Sequence, residues 1–396
     1  MNKTYLIIGT SAAGLGTAVK LRNCDTSATI ICLTAEDEMP YNRCLLADYL
    51  SGSKTADLVA TKPELFFTEN NIILMRNALV VSIDRTNQTV KLADNRSLSY
   101  DELFLGVGRS GWIPSLPGST LQGVFPFYGL ADTNKILSFI KDHNVTHATV
   151  VGAGLSGLEC ADALANKGLQ VDIIERASHC LPNQLDAAGG AFLASIMHKD
   201  GVNIRTLDSV QEINGSNGLV KEAVLASGKK IATQMVIFAI GGKVNSHFAQ
   251  TAGIVLSGAG ILVNEYMQTS DPHIYAGGDV CLVKDILTGT LVQSCLWPDA
   301  VQQGMIAASN MAGGVRPYAG TVIITSSHIY NTTFVSCGPI TNPPVEYQQI
   351  VKTGPDFYHK FLVQDGVLKG FAMIGKVDNV GMLRKKMVDR TPVEIA

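Results

Sequence analysis

Two glycine-rich turns of the same type occur in this chain, and each follows a short apolar segment. The first is YLIIGTSAAG at residues 5–14, and the second is ATVVGAGLSG at residues 148–157. A strand that ends in glycines and continues directly into a helix presents bare N–H groups and a positive helix end, which together bind a pyrophosphate. Two such turns predict two dinucleotides, and the simplest reason to bind two is electron transfer between them.

The second turn has the complete G-x-G-x-x-G pattern. Its glycines are Gly152, Gly154 and Gly157. Glu159 follows on the predicted helix, and the next predicted strand, 171–174, ends at Glu175. A carboxylate there can accept both adenosine ribose hydroxyls and repels a 2′-phosphate, so NADH is favoured over NADPH, although Arg176 weakens that discrimination. The alternative is a glycine pattern that only packs a helix against a sheet.

The first turn departs from this pattern, because Ser11 replaces the middle glycine and restricts the approach of the backbone to a pyrophosphate. Glu36, after the second predicted strand, is the candidate ribose ligand. Alone, this turn is equally typical of an ordinary βαβ crossover. Gly278 and Asp279 strengthen the nucleotide interpretation, since an acid at a strand end can bind the ribityl chain of a flavin. Alternatively, Asp279 caps a helix.

Length and composition are typical of a globular α/β protein. The 396 residues are 46% apolar and 16% charged, which suits two or three domains with buried parallel strands. The net charge of −3 provides no basic field, so nucleic acid is not an expected partner. No apolar run reaches the roughly 18 residues of a membrane span, and the first glycine turn interrupts the apolar start, so we expect a cytoplasmic protein. The cysteines and histidines form no CxxC or HExxH motif, so no metal is predicted.

The same order of elements is predicted twice along the chain. Strand 5–8, helix 12–21 and strand 28–33 precede a hairpin at 80–92; strand 146–151, helix 155–167, strand 170–174 and helix 185–198 precede a hairpin near 227–230. A strand at 274–276 and a helix at 300–311 follow, and the tail after 320 contains short strand-like runs. The sequence therefore predicts an α/β fold with two Rossmann-like three-layer domains and a small C-terminal α/β domain.

These motifs and their order resemble the pyridine nucleotide–disulfide oxidoreductases, flavoprotein reductases with two dinucleotide-binding domains. The resemblance rests on both fingerprints and on YAGGD at 275–279. Within that superfamily, several segments are similar to NADH:rubredoxin reductases and to the flavin-bearing part of NADH-dependent nitrite reductases. They are 40–43, 181–186, 297–304, 368–371 and 374–375.

The resemblance implies FAD on a discontinuous domain of residues 1–112 and 245–319, NADH on residues 113–244, and hydride transfer to the flavin. Residues 320–396 form the remaining small domain. The implied FAD residues are Gly9, Ser11, Ala13, Gly14, Glu36, Arg43, Gly278, Asp279 and Trp297, with Arg43 along the pyrophosphate or ring and Trp297 near the flavin. The implied NAD residues are Gly152, Gly154, Gly157, Glu159, Glu175 and Gly241.

Three departures from the superfamily narrow the expected chemistry. No CxxxxC follows the first fingerprint, so reduction of a dithiol substrate is disfavoured. Ferredoxin reductases of the oxygenase type have a lysine where this chain has Asp48, which weakens that branch. Asn245 stands where the family has an asparagine, but Lys243 and Val244 before it are an altered approach.

Cys44 is the one thiol with a candidate redox role. It lies near the position where single-cysteine NADH oxidases, peroxidases and coenzyme A disulfide reductases carry their redox sulfur, and Arg43 beside it could lower its pKa. The alternative is a buried apolar filler.

The expected function is an FAD enzyme that takes hydride from NADH and passes electrons to a small protein such as rubredoxin. The alternatives are thiol chemistry at Cys44 and a flavoprotein subunit of a larger reductase such as nitrite reductase. Catalytic side chains beyond the flavin are not required for hydride transfer. A monomer and a homodimer both remain open.

Overall fold

The computed structural model describes residues 2–199 and 202–393. By their internal packing these residues form two compact units. The first comprises Met1–Leu45, Thr55–Ser110 and Gly242–Val322, and the second comprises Leu46–Lys54, Gly111–Gly241 and Ile323–Ala396. The division into cofactor domains inferred from the resemblance is not tested by this grouping and stays a prediction.

Elements are numbered in chain order. The helices of the first unit are α1 (Ala12–Cys24), α3 (Ala56–Val59), α4 (Glu64–Glu69), α8 (His247–Thr251) and α9 (Trp297–Met311). Its strands are β1 (Thr4–Ile8), β2 (Thr29–Leu33), β3 (Ile72–Met75), β4 (Val80–Asp84), β5 (Thr89–Leu92), β6 (Ser97–Ser99), β7 (Glu102–Leu105), β8 (Arg109–Gly111), β17 (Gly242–Val244), β18 (Leu256–Ser257), β19 (Gly260–Leu262), β20 (Ile274–Ala276), β21 (Cys281–Lys284) and β22 (Leu291–Val292).

The first unit is built around a five-stranded parallel sheet in the order β20-β7-β1-β2-β3. Its central strand β1 is almost entirely buried, as expected for a parallel strand covered on both faces. The predicted hairpin at 80–92 is present as β4 and β5, which β6 extends to an antiparallel meander. The carboxyl end of β1 therefore leads into α1 at the centre of the sheet, where α/β proteins bind nucleotides.

The helices of the second unit are α2 (Leu46–Ser51), α5 (Leu130–His143), α6 (Leu155–Asn166), α7 (Ala187–Lys199) and α10 (Val380–Asp389). Its strands are β9 (Val124–Pro126), β10 (His147–Val151), β11 (Gln170–Ile174), β12 (Asn203–Arg205), β13 (Val210–Ser216), β14 (Leu219–Leu225), β15 (Lys230–Ala232), β16 (Met235–Phe238), β23 (Ile324–Ile329), β24 (Thr332–Cys337), β25 (Gln348–Gly354), β26 (Phe357–Gln364) and β27 (Val367–Ile374).

The second unit repeats the plan of the first. Its parallel sheet has the order β12-β11-β10-β16-β9, with β10 in the central position that β1 occupies in the first sheet. A three-stranded antiparallel meander, β13-β14-β15, follows in the same place along the chain as β4-β5-β6. The internal similarity predicted from the sequence is thus present in the meander and in four of the five strands of each sheet, while the fifth strand differs, because β20 follows its meander in the chain and β9 precedes β10. The predicted α/β class is confirmed.

Residues after 322 add an antiparallel sheet in the order β23-β24-β27-β26-β25, with α10 against β27. A buried ion pair joins this sheet to the segment before α7. The Lys360 ammonium lies 2.8 Å from an Asp186 oxygen, and the Tyr358 hydroxyl donates to the same carboxylate at 2.9 Å. Lys360 is only 3% exposed, so this pair fastens the C-terminal sheet within the second unit.

Two predicted helices begin at other residues than expected. Helix α7 begins at Ala187 and not at 185, because the Asp186 carboxylate accepts the Gly189 N–H at 3.0 Å and so caps the helix start. Helix α9 begins at Trp297 and not at 300, with a proline in its first turn, where a missing N–H costs nothing.

Candidate nucleotide-binding sites

The first loop, residues 9–14, connects β1 to α1 and requires glycine at its two end positions. Gly9 has φ +96°, and a Cβ there would lie 2.2 Å from the Gly106 carbonyl oxygen. A Cβ on Gly14 would lie 1.8 Å from the Gly9 carbonyl oxygen. Ser11 is the N-cap residue of α1, but its side chain makes no capping hydrogen bond. The N-terminal N–H groups of α1 are thus not capped by Ser11.

Helix α9 crosses α1 at very short distance, with the middle of α9 against the first turns of α1. A Cβ on Gly304 would lie 2.1 Å from the Ala13 carbonyl oxygen, and one on Gly16 would lie 2.9 Å from that of Val301. Gly278, with φ +79°, approaches Ala13 as well, because its Cβ would lie 3.2 Å from the Ala13 Cβ. The predicted FAD residues Ala13 and Gly278 are therefore neighbours.

Two of the predicted FAD side chains bind each other. The Arg43 guanidinium forms a short ion pair with the Glu36 carboxylate, and both side chains are about one-third exposed, at 29% and 37%. Arg43 also lies over the Tyr41 ring, 5.1 Å from its centre. The sequence made Glu36 a candidate ribose ligand, and the resemblance implied Arg43 along the pyrophosphate or ring; the structure pairs these two side chains with each other.

Asp279 lies among cations that the sequence did not fully identify. Burial raises the pKa of its carboxyl group, and the guanidinium groups of Arg109 and Arg43 lower it. Arg109 donates a short hydrogen bond to Gln293, whose side-chain amide donates to the Asp279 carbonyl at 3.0 Å. The Arg109 Nε is buried and has no hydrogen-bond partner among the described residues, so it can still donate to a ligand.

Gln303 is a second residue that sequence reasoning missed. Its side chain is fully buried, and its amide oxygen accepts the Gly278 N–H at 2.7 Å. The amide therefore fixes the backbone that precedes Asp279. Gln303 falls inside the predicted motif 297–304, which was the only signal for it; Arg109 had none, because its role depends on contacts with residues distant in sequence.

Trp297, Cys44 and Asn245 are also placed in the first unit. Trp297 is partly buried against the core of that unit, at the start of α9. Cys44 is exposed and its backbone N–H donates to the Asn42 side chain at 3.0 Å, so the alternative of a buried apolar filler is wrong. The Asn245 amide donates to the Val107 carbonyl at 2.9 Å, which anchors the strand-end segment before Arg109.

The second loop, residues 152–157, has the same geometry as the first. Gly152 has φ +106°, and a Cβ on Gly157 would lie 1.9 Å from the Gly152 carbonyl oxygen. Gly154, the N-cap of α6, faces open space, with no atom within 4 Å of its Cβ position. This open position is where a pyrophosphate must approach the backbone. Gly241, also in the left-handed region at φ +85°, has open space at its Cβ as well.

Glu175, the predicted ribose ligand, is buried, and both of its carboxylate oxygens accept backbone hydrogen bonds. One carboxylate oxygen accepts the Ala153 N–H at 2.6 Å, and the other accepts the Ala177 N–H at 2.7 Å, while the residue is 9% exposed. The side chain therefore fastens the second loop to the end of β11. Each carboxylate oxygen still has a further lone pair for a ribose hydroxyl.

Glu159 lies on α6, and Ser327 of β23 donates a hydrogen bond to its carboxylate at 2.7 Å. Burial raises the pKa of this carboxyl group, and the negative charges of Asp48 and Asp162 raise it further, against the Ser327 hydrogen bond. Glu159 thus differs from Glu175, which is surrounded by backbone donors.

The residues of the first unit suit an FAD. The first loop has no room for a side chain at Gly9 or Gly14, and the Ser11 side chain does not cap the start of α1. The buried Arg109 Nε can still donate a hydrogen bond to the cofactor.

In the described part of the chain, no group of three or more His, Cys, Asp or Glu side chains is placed to hold a metal ion. No helix in the same residues is long and apolar enough to cross a bilayer.

Comparison with known proteins identifies the family. Residues 3–304 match the model of the pyridine nucleotide-disulphide oxidoreductases. The chain therefore belongs to this family, as its sequence motifs predicted, and it is an oxidoreductase that uses FAD and NADH.

Individual relatives agree with this assignment. The chain is 34% identical to an NADH oxidase of Methanocaldococcus jannaschii, over 78% of this chain and 70% of the relative. It is 32% identical to a rubredoxin-NAD(+) reductase of Pseudomonas putida, over 79% and 80%. A Bacillus subtilis nitrite reductase is 30% identical over 94% of this chain, which spans only 44% of that relative. A solved NAD-dependent persulfide reductase from A. fulgidus matches 99% of this chain and 79% of its own, with a TM-score of 0.92 and 26% identity.

Proposed function

We propose that this enzyme takes hydride from NADH onto FAD and passes the electrons to a small electron-transfer protein of the rubredoxin type. The main observation behind this proposal is the pair of glycine-rich loops at the centres of two similar parallel sheets. The first loop is not followed by the CxxxxC motif of the dithiol-reducing members. The likeness to a rubredoxin-NAD(+) reductase supports the choice of acceptor.

Each part of the chain has a specific role in this proposal. FAD supplies the conversion between two-electron and one-electron steps when it is bound. The protein holds it through the FAD residues Gly9, Ser11, Ala13, Gly14, Glu36, Arg43, Gly278, Asp279 and Trp297, to which we add Arg109. The nicotinamide nucleotide is held through Gly152, Gly154, Gly157, Glu159, Glu175 and Gly241. Residues 1–112 with 245–319 would thus be the FAD domain, and 113–244 the NADH domain. A cytoplasmic location is part of the proposal.

A second candidate is thiol chemistry at Cys44, in which reduced flavin reduces an oxidised sulfur. The observation that favours it is the exposure of Cys44, since an exposed thiol is accessible to an oxidised sulfur. The persulfide reductase among the similar structures gives it further support. A third candidate, a flavoprotein part of a larger reductase, is supported by the nitrite reductase, of which this chain spans less than half.

Replacement of Cys44 by Ser separates the first two candidates. We expect Cys44→Ser to retain near wild-type NADH-dependent reduction of rubredoxin or of a one-electron dye, because neither step uses a thiol. The matched control is Cys24→Ser, which changes another exposed cysteine of the first unit. Loss of rubredoxin and dye reduction in Cys44→Ser alone would refute the electron-transfer proposal and favour the thiol mechanism.

A further inference from the structure

Two glutamine side chains hold the main chain on either side of the Asp279 side chain. Before it, the fully buried Gln303 of α9 accepts the Gly278 N–H with its amide oxygen at 2.7 Å. After it, the Gln293 amide donates to the Asp279 carbonyl at 3.0 Å. The Gly278 carbonyl between these two groups accepts the Cys281 N–H at 3.2 Å. The backbone around Asp279 therefore has fixed partners in both chain directions.

The amide group of Gln303 has a single possible orientation. Only an acceptor can pair with the Gly278 N–H, so the amide oxygen must face that group and the amide nitrogen must face the other way. The nitrogen lies 3.5 Å from the hydroxyl oxygens of Ser294 and Tyr318, which are buried as well. The amide is therefore held at both ends and out of contact with solvent.

Gln293 connects the same stretch of main chain to a cation of the site. Its amide oxygen accepts a short hydrogen bond from the Arg109 guanidinium, while its amide nitrogen donates to the Asp279 carbonyl. These bonds run to the main chain of Asp279 and do not occupy its carboxylate oxygens. With its backbone fixed in advance, the carboxylate has only its own side-chain torsions left to order when it binds a ligand, which lowers the entropic cost of binding.

We propose that Gln293 and Gln303 are positioning residues for FAD, which together fix the main chain around Asp279 and so direct its carboxylate to the ribityl chain. The role rests on the proposed assignment of Asp279 to FAD. Neither glutamine has to touch the cofactor, because each acts through the backbone of the Gly278–Asp279 pair.

FAD titration of the full-length protein, after removal of its flavin, tests the proposal. We expect Gln293→Met and Gln303→Met each to raise the Kd for FAD about tenfold, which is the effect of one lost hydrogen bond. The Kd for ADP, measured by its competition with FAD, should keep its wild-type value in both variants. ADP lacks the ribityl chain and the flavin ring, so it does not depend on the position of the Asp279 carboxylate.

Asn310→Leu is the matched control, because Asn310 is a second buried amide of α9. It donates to the Tyr266 and Arg316 carbonyls, both at 2.9 Å, and accepts the Arg316 N–H at 2.7 Å. None of these partners is a predicted FAD residue. Asn310→Leu should therefore lower the thermal unfolding temperature and leave the Kd for FAD unchanged.

The same titration in an Asp279→Ala background shows whether the glutamines act through the carboxylate. Residues that act as one unit have non-additive effects on binding. We expect Gln303→Met to cause no further rise in the Kd for FAD once the Asp279 carboxylate is absent. A further tenfold rise in this background would overturn the proposal.

The remaining outcomes are equally decisive. A wild-type Kd for FAD in both glutamine variants would refute the positioning role, and if Gln303→Met does not fold, Gln293→Met alone decides. An equal rise in the Kd for ADP would also refute it, because the whole site and not the Asp279 carboxylate would then have moved. If NADH does not reduce the flavin of the same wild-type preparation, the proposed function fails, while the FAD titrations still decide the role of the glutamines. A wild type that takes up no FAD would refute both.

Discussion

Gly157→Ala is expected to lower NADH-dependent reduction of the flavin by about 10²-fold or more, because a displacement near 1 Å at a binding loop has that effect. The new Cβ would lie 1.9 Å from the Gly152 carbonyl oxygen, so the second loop must move to accommodate it. Overpacking of this kind also costs about 1–3 kcal/mol of stability. Stopped-flow absorbance at the flavin band and thermal unfolding measure the two effects.

Two other glycine substitutions of the second unit separate these effects. Gly154→Ala places its methyl group in open space at the loop, so the fold should persist while NADH binds more weakly. Gly381→Ala, also in open space but on α10, should change neither stability much nor the rate of flavin reduction. If NADH reduces the flavin of Gly157→Ala as fast as that of Gly381→Ala, the second loop does not bind NADH.

Lys360→Met is expected to destabilise the second unit by about 3–5 kcal/mol, because it leaves the partly buried Asp186 carboxylate without its cation. The ammonium lies 2.8 Å from that carboxylate and is almost inaccessible to solvent. Lys376→Met is the matched control: Lys376 pairs with Asp356 at 3.1 Å on the surface, and its loss should cost about 1 kcal/mol at most. Urea unfolding of both variants measures the difference, and equal midpoints would contradict this account.

The pH dependence of the same pair has a defined sign. Burial opposes ionisation of Asp186, but hydrogen bonds from Lys360, Gly189 and Tyr358 hold the pKa of its carboxyl group below the usual value. Its contribution is therefore fully present above the unfolded pKa of about 3.9 and is lost as the pH falls through the lower folded value. In Lys360→Met, the free energy of unfolding should therefore fall less steeply as the pH is lowered through this range.

The two loops and the sheets around them could be predicted from sequence because their signals are local. Gly9 and Gly14, like Gly152 and Gly157, stand where a strand meets a helix, and the short contacts of Gly14 and Gly157 are with the first glycine of the same loop. Short apolar runs before the glycines then predicted β1 and β10 almost to the residue.

The remaining features depend on residues that are distant in the sequence. Glu36 and Arg43 were each assigned to a ligand, and only the fold shows that they bind each other. Arg109 meets Gln293 across 184 positions, and Lys360 meets Asp186 across 174. No periodicity or spacing encodes such pairs, because tertiary packing alone brings them together.

The most direct test of the account is an absorption spectrum of the purified protein followed by anaerobic titration with NADH. We predict a yellow protein whose flavin bands bleach with one NADH per FAD, before any acceptor is added. A colourless protein that does not take up FAD on reconstitution, or a flavin that NADH leaves oxidised, would contradict it.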